Sequence, residues 1–180
     1  MIPFSGRHIE DVYGIGIYIK KEIPLLEEGE ISIHPSRSAP GEIDGHHARN
    51  LQWVKIKVEG KDVTVVNVHG LWNGKGKSDT PDRLDQSRRI KEFMDQVATP
   101  KILCGDFNLR PDTESLGMIK EGMNDLVYMH NVSSTRTSLY GKEEKFADYI
   151  FTSPEIKINE FKVLPHEVSD HSPLYLDFEV

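Results

Sequence analysis

The chain has 180 residues, of which 37% are apolar and 28% are charged. This composition is typical of a folded protein and excludes intrinsic disorder, and the length suits one domain with one substantial core. The 29 acidic residues outnumber the 22 basic residues and leave a formal net charge of -7, which disfavours tight, sequence-independent binding of DNA through its phosphates.

Three sequence features bear on the compartment. No apolar run approaches membrane-spanning length, and the first residues lack the basic flank and apolar segment of a signal peptide. We therefore expect no membrane anchor and a cytoplasmic location. The single cysteine, Cys104, excludes an internal disulfide, and its place inside a predicted strand favours a buried, inert thiol over a nucleophile.

The first 50 residues predict two strands and a loop. Residues 12–19 alternate between isoleucines on one face and glycines with a tyrosine on the other, which predicts a strand. Residues 30–34 predict a short edge strand. Residues 36–50 are rich in proline, glycine and polar side chains and predict a loop. The adjacent pair His46 and His47 could bind a metal, but exposed loop histidines are the favoured interpretation.

A hairpin is predicted next, from residues 51–58 and 61–69 around Glu59-Gly60. Its second strand has apolar residues on both faces, which indicates a central strand. His69 lies at the end of this strand, directly before a glycine. It is a candidate functional residue, and a histidine satisfied within the core is an equal alternative.

The loop of residues 71–80 contains Lys75 and Lys77. The run Gly76-Lys77-Ser78 resembles the end of a nucleotide-binding loop, but that motif needs a glycine where Leu71 stands, so we exclude it. The two lysines could contact a substrate phosphate or be solvated. Trp72 could stack on a substrate ring or cover the core.

Two helices are predicted in the middle of the chain. Thr80 is a good cap and Pro81 a good first residue for an amphipathic helix over about residues 82–98. A shorter helix is predicted over residues 113–121, with Asp112 as its cap.

Between these helices, residues 101–112 read KILCGDFNLRPD. An apolar run stops at Gly105, and Asp106 and Asn108 follow it, so this stretch predicts a buried strand that presents a carboxylate and an amide at its end. An ordinary turn is the alternative, since glycine, aspartate and asparagine all favour turns.

The last third of the chain predicts three strands, at residues 146–151, 158–164 and 174–180. Asp148 lies inside the first of them and should have a partner, because an unpaired buried charge is costly. Before the last strand, residues 169–173 read SDHSP and place polar groups beside a strand, as residues 105–108 do.

Four pieces in this order resemble the endonuclease/exonuclease/phosphatase superfamily, the DNase I-like metal-dependent phosphoesterases. They are Asn67-Val68-His69, Gly105-Asp106-Phe107-Asn108, Ala147 to Phe151 (ADYIF) and Ser169 to Leu174 (SDHSPL). The resemblance covers nearly the whole chain. It implies an α/β sandwich of two mostly antiparallel sheets with helices outside, and the predicted excess of strands over helices is compatible with it.

The resemblance also implies roles for five side chains. Asp106 would position or deprotonate the attacking water, and Asn108 would hold that water or a phosphoryl oxygen. His171 would stabilise the charge on the phosphate, oriented and kept protonated by Asp148. His69 would face the phosphate as a donor or an acid.

By the same resemblance, Asp170 would bind a divalent cation together with Asp106 and Asn108. Carboxylate and amide ligands without a thiolate cluster favour Mg²⁺ or Mn²⁺. The substrate would be a phosphate ester, either nucleic acid or a small phosphorylated molecule. Candidate contacts to its phosphate, chosen by closeness in sequence to the motifs, are Lys75, Lys77, Arg110 and Arg136.

The resemblance has one gap. Family members begin with a strand bearing an asparagine and a strand ending in a metal-binding glutamate, and neither precedes residues 12–19 here. We therefore expect residues 1–180 to be a single, N-terminally incomplete domain, and we advance the hypothesis of a homodimer that covers the missing strands. The leading hypothesis is a metal-dependent phosphoesterase. The alternative is a catalytically impaired member or half-domain that binds a phosphorylated ligand or a protein partner.

Overall fold

The computed structural model describes residues 14–35, 48–74 and 76–180. The predicted strand of residues 12–19 is wrong for its described part, since residues 14–20 form no strand. Its isoleucines are nevertheless half-buried, and Ile17 and Ile19 pack against the core. The alternation therefore reflects burial of one side of the segment without strand pairing. His46 and His47 lie outside the described residues.

The helices and strands, in chain order, are β1 (Leu25–His34), β2 (Arg49–Val58), β3 (Lys61–His69), α1 (Pro81–Gln96), β4 (Lys101–Asp106), α2 (Glu114–Lys120), β5 (Asn124–Asp125), α3 (Leu126–Met129), β6 (Asp148–Thr152), β7 (Lys157–Val163) and β8 (Leu174–Glu179). As predicted, the architecture is mixed α/β with two sheets.

The larger sheet has six strands in the order β1-β2-β3-β4-β6-β5, and the smaller sheet pairs β7 with β8. Among the described strands, only the β3–β4 pairing is parallel. A parallel pair needs a long crossover, which α1 supplies. The predicted hairpin is confirmed, and β3 is a central strand, as the apolar residues on both of its faces indicated.

The core consists mainly of aliphatic and aromatic side chains from the larger sheet, joined by residues of α1 and α2. The smaller sheet contributes Phe161, together with alternate residues of β8 such as Leu174, Leu176 and Phe178. In β4, the Cys104 thiol donates to Val66 O at 3.5 Å, and burial raises its pKa to about 11. This agrees with an inert structural cysteine.

The two predicted helices form, with one change at a cap. Thr80 Oγ1 accepts a hydrogen bond from Arg83 N, and Pro81 is the first residue of α1, as expected. In α2 the cap is Thr113, whose Oγ1 accepts from Leu116 N at 3.3 Å, and not Asp112. Asp112 instead forms an ion pair with Arg110. Within the described residues, no helix is long and apolar enough to cross a membrane.

Candidate active site

Three polar residues lie side by side where neighbouring strands of the larger sheet meet. His69 at the end of β3 is the register partner of Asp106 at the end of β4, and Asp106 is the register partner of Asp148 at the start of β6. The parallel β3–β4 pairing and the antiparallel β4–β6 pairing therefore place these three side chains at one edge of the sheet.

The turn after β4 is shaped by Asp106 and Asn108. Asp106 Oδ1 accepts a hydrogen bond from Asn108 N at 2.8 Å, and Asn108 has a φ of 53°, a left-handed conformation that asparagine tolerates. The Asn108 side chain donates to Gly70 O at 3.2 Å. Local chemistry of aspartate and asparagine thus forms a turn, and the same turn aims both side chains into one cleft.

His171 is held by the carboxylate of Asp148. The distances from His171 Nδ1 to the two Asp148 oxygens are 2.8 and 2.9 Å. Thr135 Oγ1 also donates to Asp148 Oδ2 at 3.3 Å. The hydrogen bond that His171 donates to Asp148 raises the pKa of His171 above its ordinary value, despite partial burial, which lowers it. The partly buried carboxylate therefore has the partner that the sequence required.

Asp106 lies between two imidazoles. Its Oδ2 is 3.7 Å from His171 Nε2 and 3.8 Å from His69 Nε2. Burial, followed by the charge of Asp148, raises the pKa of Asp106. Burial and then the nearby Arg49 guanidinium lower the pKa of His69. The site therefore combines one imidazole of lowered pKa and one of raised pKa around a carboxylate of increased basicity. We call His69, Asp106, Asp148 and His171 the carboxylate–histidine cluster.

This cluster opens into a cleft of about 260 Å³. The cleft is lined by the cluster residues except Asp148, by Asn108 and Asp170, and by a set of basic and aromatic side chains: Arg49, Lys77, Arg136, Lys142, Trp72 and Tyr140. Basic groups outnumber the two carboxylates. The cleft can therefore receive an anion even though the whole chain is acidic.

Oxygen ligands for a cation are present in the cleft. Asp106, Asp148 and His171 have potential ligand atoms within 4.8 Å of one another, but Asp148 and His171 bind each other. Asp170 Oδ2 lies 4.0 Å from His171 Nε2, so Asp106 and Asp170 flank the same nitrogen. One or two carboxylates with an amide oxygen fit a hard cation such as Mg²⁺, which keeps several waters and takes further ligands from a phosphate.

The structure brings together most of the residues singled out from the sequence. The pairing of Asp170 with Arg136, at 3.0 Å between Oδ2 and Nη1, was not expected. Arg110 does not line the cleft and pairs instead with exposed Asp112, at 2.9 and 2.7 Å. Lys75 lies outside the described residues.

Arg49, Tyr140 and Lys142 line the cleft but were missed by sequence reasoning. Arg49 is the first residue of β2, and the other two lie between α3 and β6, outside any helix or strand. Their sequence neighbours show no periodicity or spacing that could have singled them out. Trp72 lines the cleft, so it does not serve only to cover the core.

A model of the Endonuclease/Exonuclease/phosphatase family matches residues 3–171 of the chain. No curated protein matches the chain. Among solved structures, the chain is similar to a mannosyl-6-phosphatase from Bacteroides thetaiotaomicron, at 20% identity and a TM-score of 0.70, over 91% of this chain and 69% of that one.

Two further structures illustrate the range of similar proteins. An endonuclease/exonuclease/phosphatase family protein from Leptotrichia buccalis is 25% identical, with a TM-score of 0.64, over 87% of this chain and 62% of that chain. D. rerio TDP2, in complex with a single-strand DNA product, is 17% identical, with a TM-score of 0.64, over 88% of this chain and 69% of that chain. These similarities show a shared fold.

Proposed function

Because the chain belongs to the Endonuclease/Exonuclease/phosphatase family, we propose that it is a divalent-metal-dependent phosphoesterase that hydrolyses a phosphodiester or a phosphomonoester by in-line attack of water. The observation that carries this proposal is the carboxylate–histidine cluster at the base of a basic cleft. It places the Asp106 carboxylate, whose pKa is raised, within 3.8 Å of the imidazoles of His69 and His171.

Asp106 is the residue best placed to act on the attacking water. Its Oδ1 is engaged by Asn108 N, which leaves Oδ2 directed between the two imidazoles. Burial raises the pKa of this carboxyl, which makes it a stronger base than an exposed aspartate. Asn108 lines the same cleft and would hold the water or a phosphoryl oxygen.

The two histidines are placed to stabilise the negative charge that develops on the phosphate during hydrolysis. His171 is oriented by Asp148 through Nδ1, so its Nε2–H can donate to a phosphoryl oxygen as negative charge accumulates there. His69 is neutral near pH 7 because burial lowers its pKa, and it can donate a hydrogen bond to the phosphate or the leaving oxygen. The end of β3 carries the His69 ring and Asp148 at the start of β6 holds the His171 ring, so both rings are in place before the substrate binds.

Asp106, Asn108 and Asp170 would hold the divalent cation, Mg²⁺ or Mn²⁺. When bound, the cation would supply Lewis-acid polarisation of a phosphoryl oxygen. The Arg136 guanidinium, which pairs with Asp170, would hold that carboxylate in place.

One observation favours a second candidate, a family member that binds a phosphorylated ligand or partner without efficient turnover. Asp170 forms a hydrogen bond with Arg136, and Asp148 forms one with His171. Among the described site residues, this leaves Asp106 as the carboxylate that has no hydrogen bond from a basic side chain. Few available carboxylates mean weak binding of a cation and therefore slow catalysis.

The proposal is tested by hydrolysis of a chromogenic phosphodiester and a chromogenic phosphomonoester, with Mg²⁺, Mn²⁺ or a chelator. Asp106→Asn and His171→Ala should each reduce kcat by at least about 100-fold, since each removes an acid–base or electrostatic contribution. Asp112→Asn and His166→Ala are matched controls outside the cleft and should leave kcat unchanged.

Metal-dependent turnover that both site variants abolish would support the phosphoesterase. Turnover that survives the chelator or either site variant would contradict it. Binding of inorganic phosphate, weakened in His171→Ala and without turnover of either ester, would favour the binding protein instead.

A further inference from the structure

The charges in the cleft exceed what the scissile phosphate requires. His171, His69 and a cation held by Asp106 would serve that phosphate in the proposed function. Four further basic residues, Arg49, Lys77, Arg136 and Lys142, also line the cleft. Of these, Arg136 has a carboxylate partner in the cleft, Asp170. A chain with a net charge of -7 thus places four lysine and arginine side chains in one cleft.

Lys77 and Arg136 meet at the ring of Tyr140. Lys77 Nζ lies 5.4 Å from the ring centroid, and Arg136 Cζ lies 4.1 Å from it. Lys77 is only 1% exposed, and the Arg136 side chain is 5% exposed. Arg136 Nε is buried and has no hydrogen-bond partner within the described part of the chain. We call these three residues the Tyr140 subsite.

Two buried cations lie at one ring, and the carboxylate that accepts a hydrogen bond here is Asp170, which pairs with Arg136. Burial, and then the charge of Arg136, lowers the pKa of Lys77. The Lys77 ammonium donates to Phe146 O at 2.7 Å, a carbonyl that provides no full negative charge. Desolvated like charges of this kind are typical of sites shaped for a ligand of opposite charge.

The subsite is also rigidly built. The Arg83 guanidinium is buried and donates to three carbonyls of the loop that carries Lys77, those of Leu71, Gly76 and Ser78, at 3.3, 2.6 and 2.5 Å. Lys77 O in turn accepts from Arg110 N at 3.1 Å. A loop fixed in this way presents its lysine at low entropic cost to a ligand.

We propose that the Tyr140 subsite binds a second phosphate group of the substrate, separate from the phosphate that is hydrolysed. This inference rests on the proposed function, which places the scissile phosphate at Asp106 and His171. The second phosphate could belong to a small bisphosphorylated molecule or to the neighbouring nucleotide of a nucleic acid. A cleft of about 260 Å³ and the acidic net charge of the chain favour the small molecule.

The aromatic residues of the cleft agree with this assignment. Lys77 and Arg136 lie over the ring of Tyr140, and Lys142 Nζ lies 5.1 Å over the ring of Trp72. The rings of Tyr140 and Trp72 therefore form cation–π contacts with basic side chains of the protein, which occupy a face of each ring. An open stacking platform for nucleobases would instead leave the ring faces free.

The test compares the affinities of pyrophosphate and orthophosphate for the full chain in the presence of a chelator, by isothermal titration calorimetry. We expect pyrophosphate to bind at least tenfold more tightly, because it can reach both positions. Lys77→Met, which keeps the length of the side chain without its charge, should weaken pyrophosphate at least tenfold and orthophosphate less than threefold. The matched control Lys157→Met, on β7, should change neither affinity.

Equal affinities of the wild type for the two anions would overturn the inference, and this comparison needs no variant. Equal weakening of both anions by Lys77→Met would also overturn it, because Lys77 would then serve the scissile phosphate. A wild-type preference for pyrophosphate that Lys77→Met abolishes would support it. These outcomes do not depend on turnover, so failure of the ester assays would overturn the proposed function and leave the subsite standing.

Two further ligands distinguish the sources of the second phosphate. A hexose 1,6-bisphosphate should compete with pyrophosphate more strongly than a 5′-phosphorylated dinucleotide if the substrate is small. The reverse order would contradict the assignment to a small molecule.

Discussion

The two histidines around Asp106 show how neighbouring groups divide acid and base roles. Asp148 binds His171 at 2.8 Å and raises its pKa, whereas burial and Arg49 lower the pKa of His69. Both rings lie within 3.8 Å of the same carboxylate oxygen. Opposite environments thus shift the pKa values of two identical side chains in opposite directions, a common arrangement for acid–base chemistry.

We expect the two imidazoles to titrate on opposite sides of 6.5 in metal-free protein, His171 above this value and His69 below it. Asp148→Asn should lower the pKa of His171, because it removes the charge that stabilises the imidazolium. Imidazole NMR titration with a chelator present measures both values, and Asp112→Asn is the control. A His171 pKa that is insensitive to Asp148→Asn would contradict the prediction.

The pair of His171 and Asp148 also contributes to the stability of the fold. Because the pKa of His171 is raised by folding, the contribution of the pair is complete below about 6.5, the ordinary value, and is lost as the pH rises through the raised pKa. The difference in the free energy of unfolding between the wild type and Asp148→Asn should therefore shrink in alkaline solution.

At the scale of elements, the site depends on close contact where β3 and β4 end. A Cβ on Gly70 would lie 2.2 Å from Phe107 O, and a Cβ on Gly105, whose φ is +136°, would lie 2.0 Å from Val68 O. Both neighbours are backbone atoms that cannot rotate away. These two glycines let the turn of Asp106 and Asn108 approach His69.

Gly70→Ala should reduce the free energy of unfolding by about 2–4 kcal/mol, since the strand ends must move apart to admit a methyl group. Urea denaturation followed by circular dichroism measures the change. Gly117→Ala is the matched control, because nothing lies within 4 Å of its Cβ position in α2. It should stabilise the protein by up to about 1 kcal/mol. A Gly70→Ala protein as stable as the wild type would show that the contact is not tight.

The loop before α1 is tied to the first turn of α2 by Asp79. Its two carboxylate oxygens accept from Glu114 N and Ser115 N, at 2.8 and 2.9 Å. Partial burial raises the pKa of Asp79, but hydrogen bonds from Ser115 and Glu114 outweigh it, and the net pKa is lowered. This carboxylate therefore stabilises the fold above its ordinary pKa, and the contribution is lost as the pH falls through the lowered value.

Asp79→Ala should lower the free energy of unfolding by about 0.5–1 kcal/mol at pH 7, the usual range for an exposed helix cap. The loss should disappear in strongly acidic solution. Asp95→Ala, which removes an exposed pair with Lys91 on α1, is the control and should cost about 0.3–0.5 kcal/mol. Urea titrations at several pH values separate the two variants, and a pH-independent loss at Asp79 would contradict the assignment.

At the scale of the whole molecule, the family match over residues 3–171 confirms both the resemblance read from four short motifs and the DNase I-like α/β fold class. It also confirms, at the level of the family, that the protein is a hydrolase of the nuclease and phosphatase type. Association into a homodimer stays a prediction, for which light scattering at micromolar concentration is the measurement.

The chain carries a net charge of -7 and a basic cleft, so its anion binding should be local. We expect duplex DNA to bind more weakly than about 100 μM in 0.15 M salt, because few phosphates can enter the cleft while the acidic surface repels the others. Fluorescence anisotropy of a labelled duplex measures the affinity. Micromolar binding with a steep salt dependence would show a basic surface larger than the cleft.

The sequence by itself determined most of the helices and strands and singled out the polar side chains at the ends of β3 and β4. Apolar residues on both faces identified β3 as a central strand, and alternation identified β8. Thr80 and Pro81 marked the start of α1, and a glycine followed by aspartate and asparagine marked the end of β4. These signals are local, since they depend on backbone preferences and on the period of each element. They also indicated that Asp148 needs a partner, because burial of a charge follows from the strand around it.

The tertiary structure decided which distant side chains meet. Strand register places His69, Asp106 and Asp148 in one row, and the segments after α3 and after β7 bring Arg136, Tyr140 and His171 to it. Arg49 enters the cleft and Arg110 does not, although Arg110 is the closer of the two in sequence to Asp106. Such choices depend on long-range pairing, which leaves no periodic signal in the sequence. The alternation of residues 14–19 likewise recorded burial, while the formation of a strand required a neighbour to pair with.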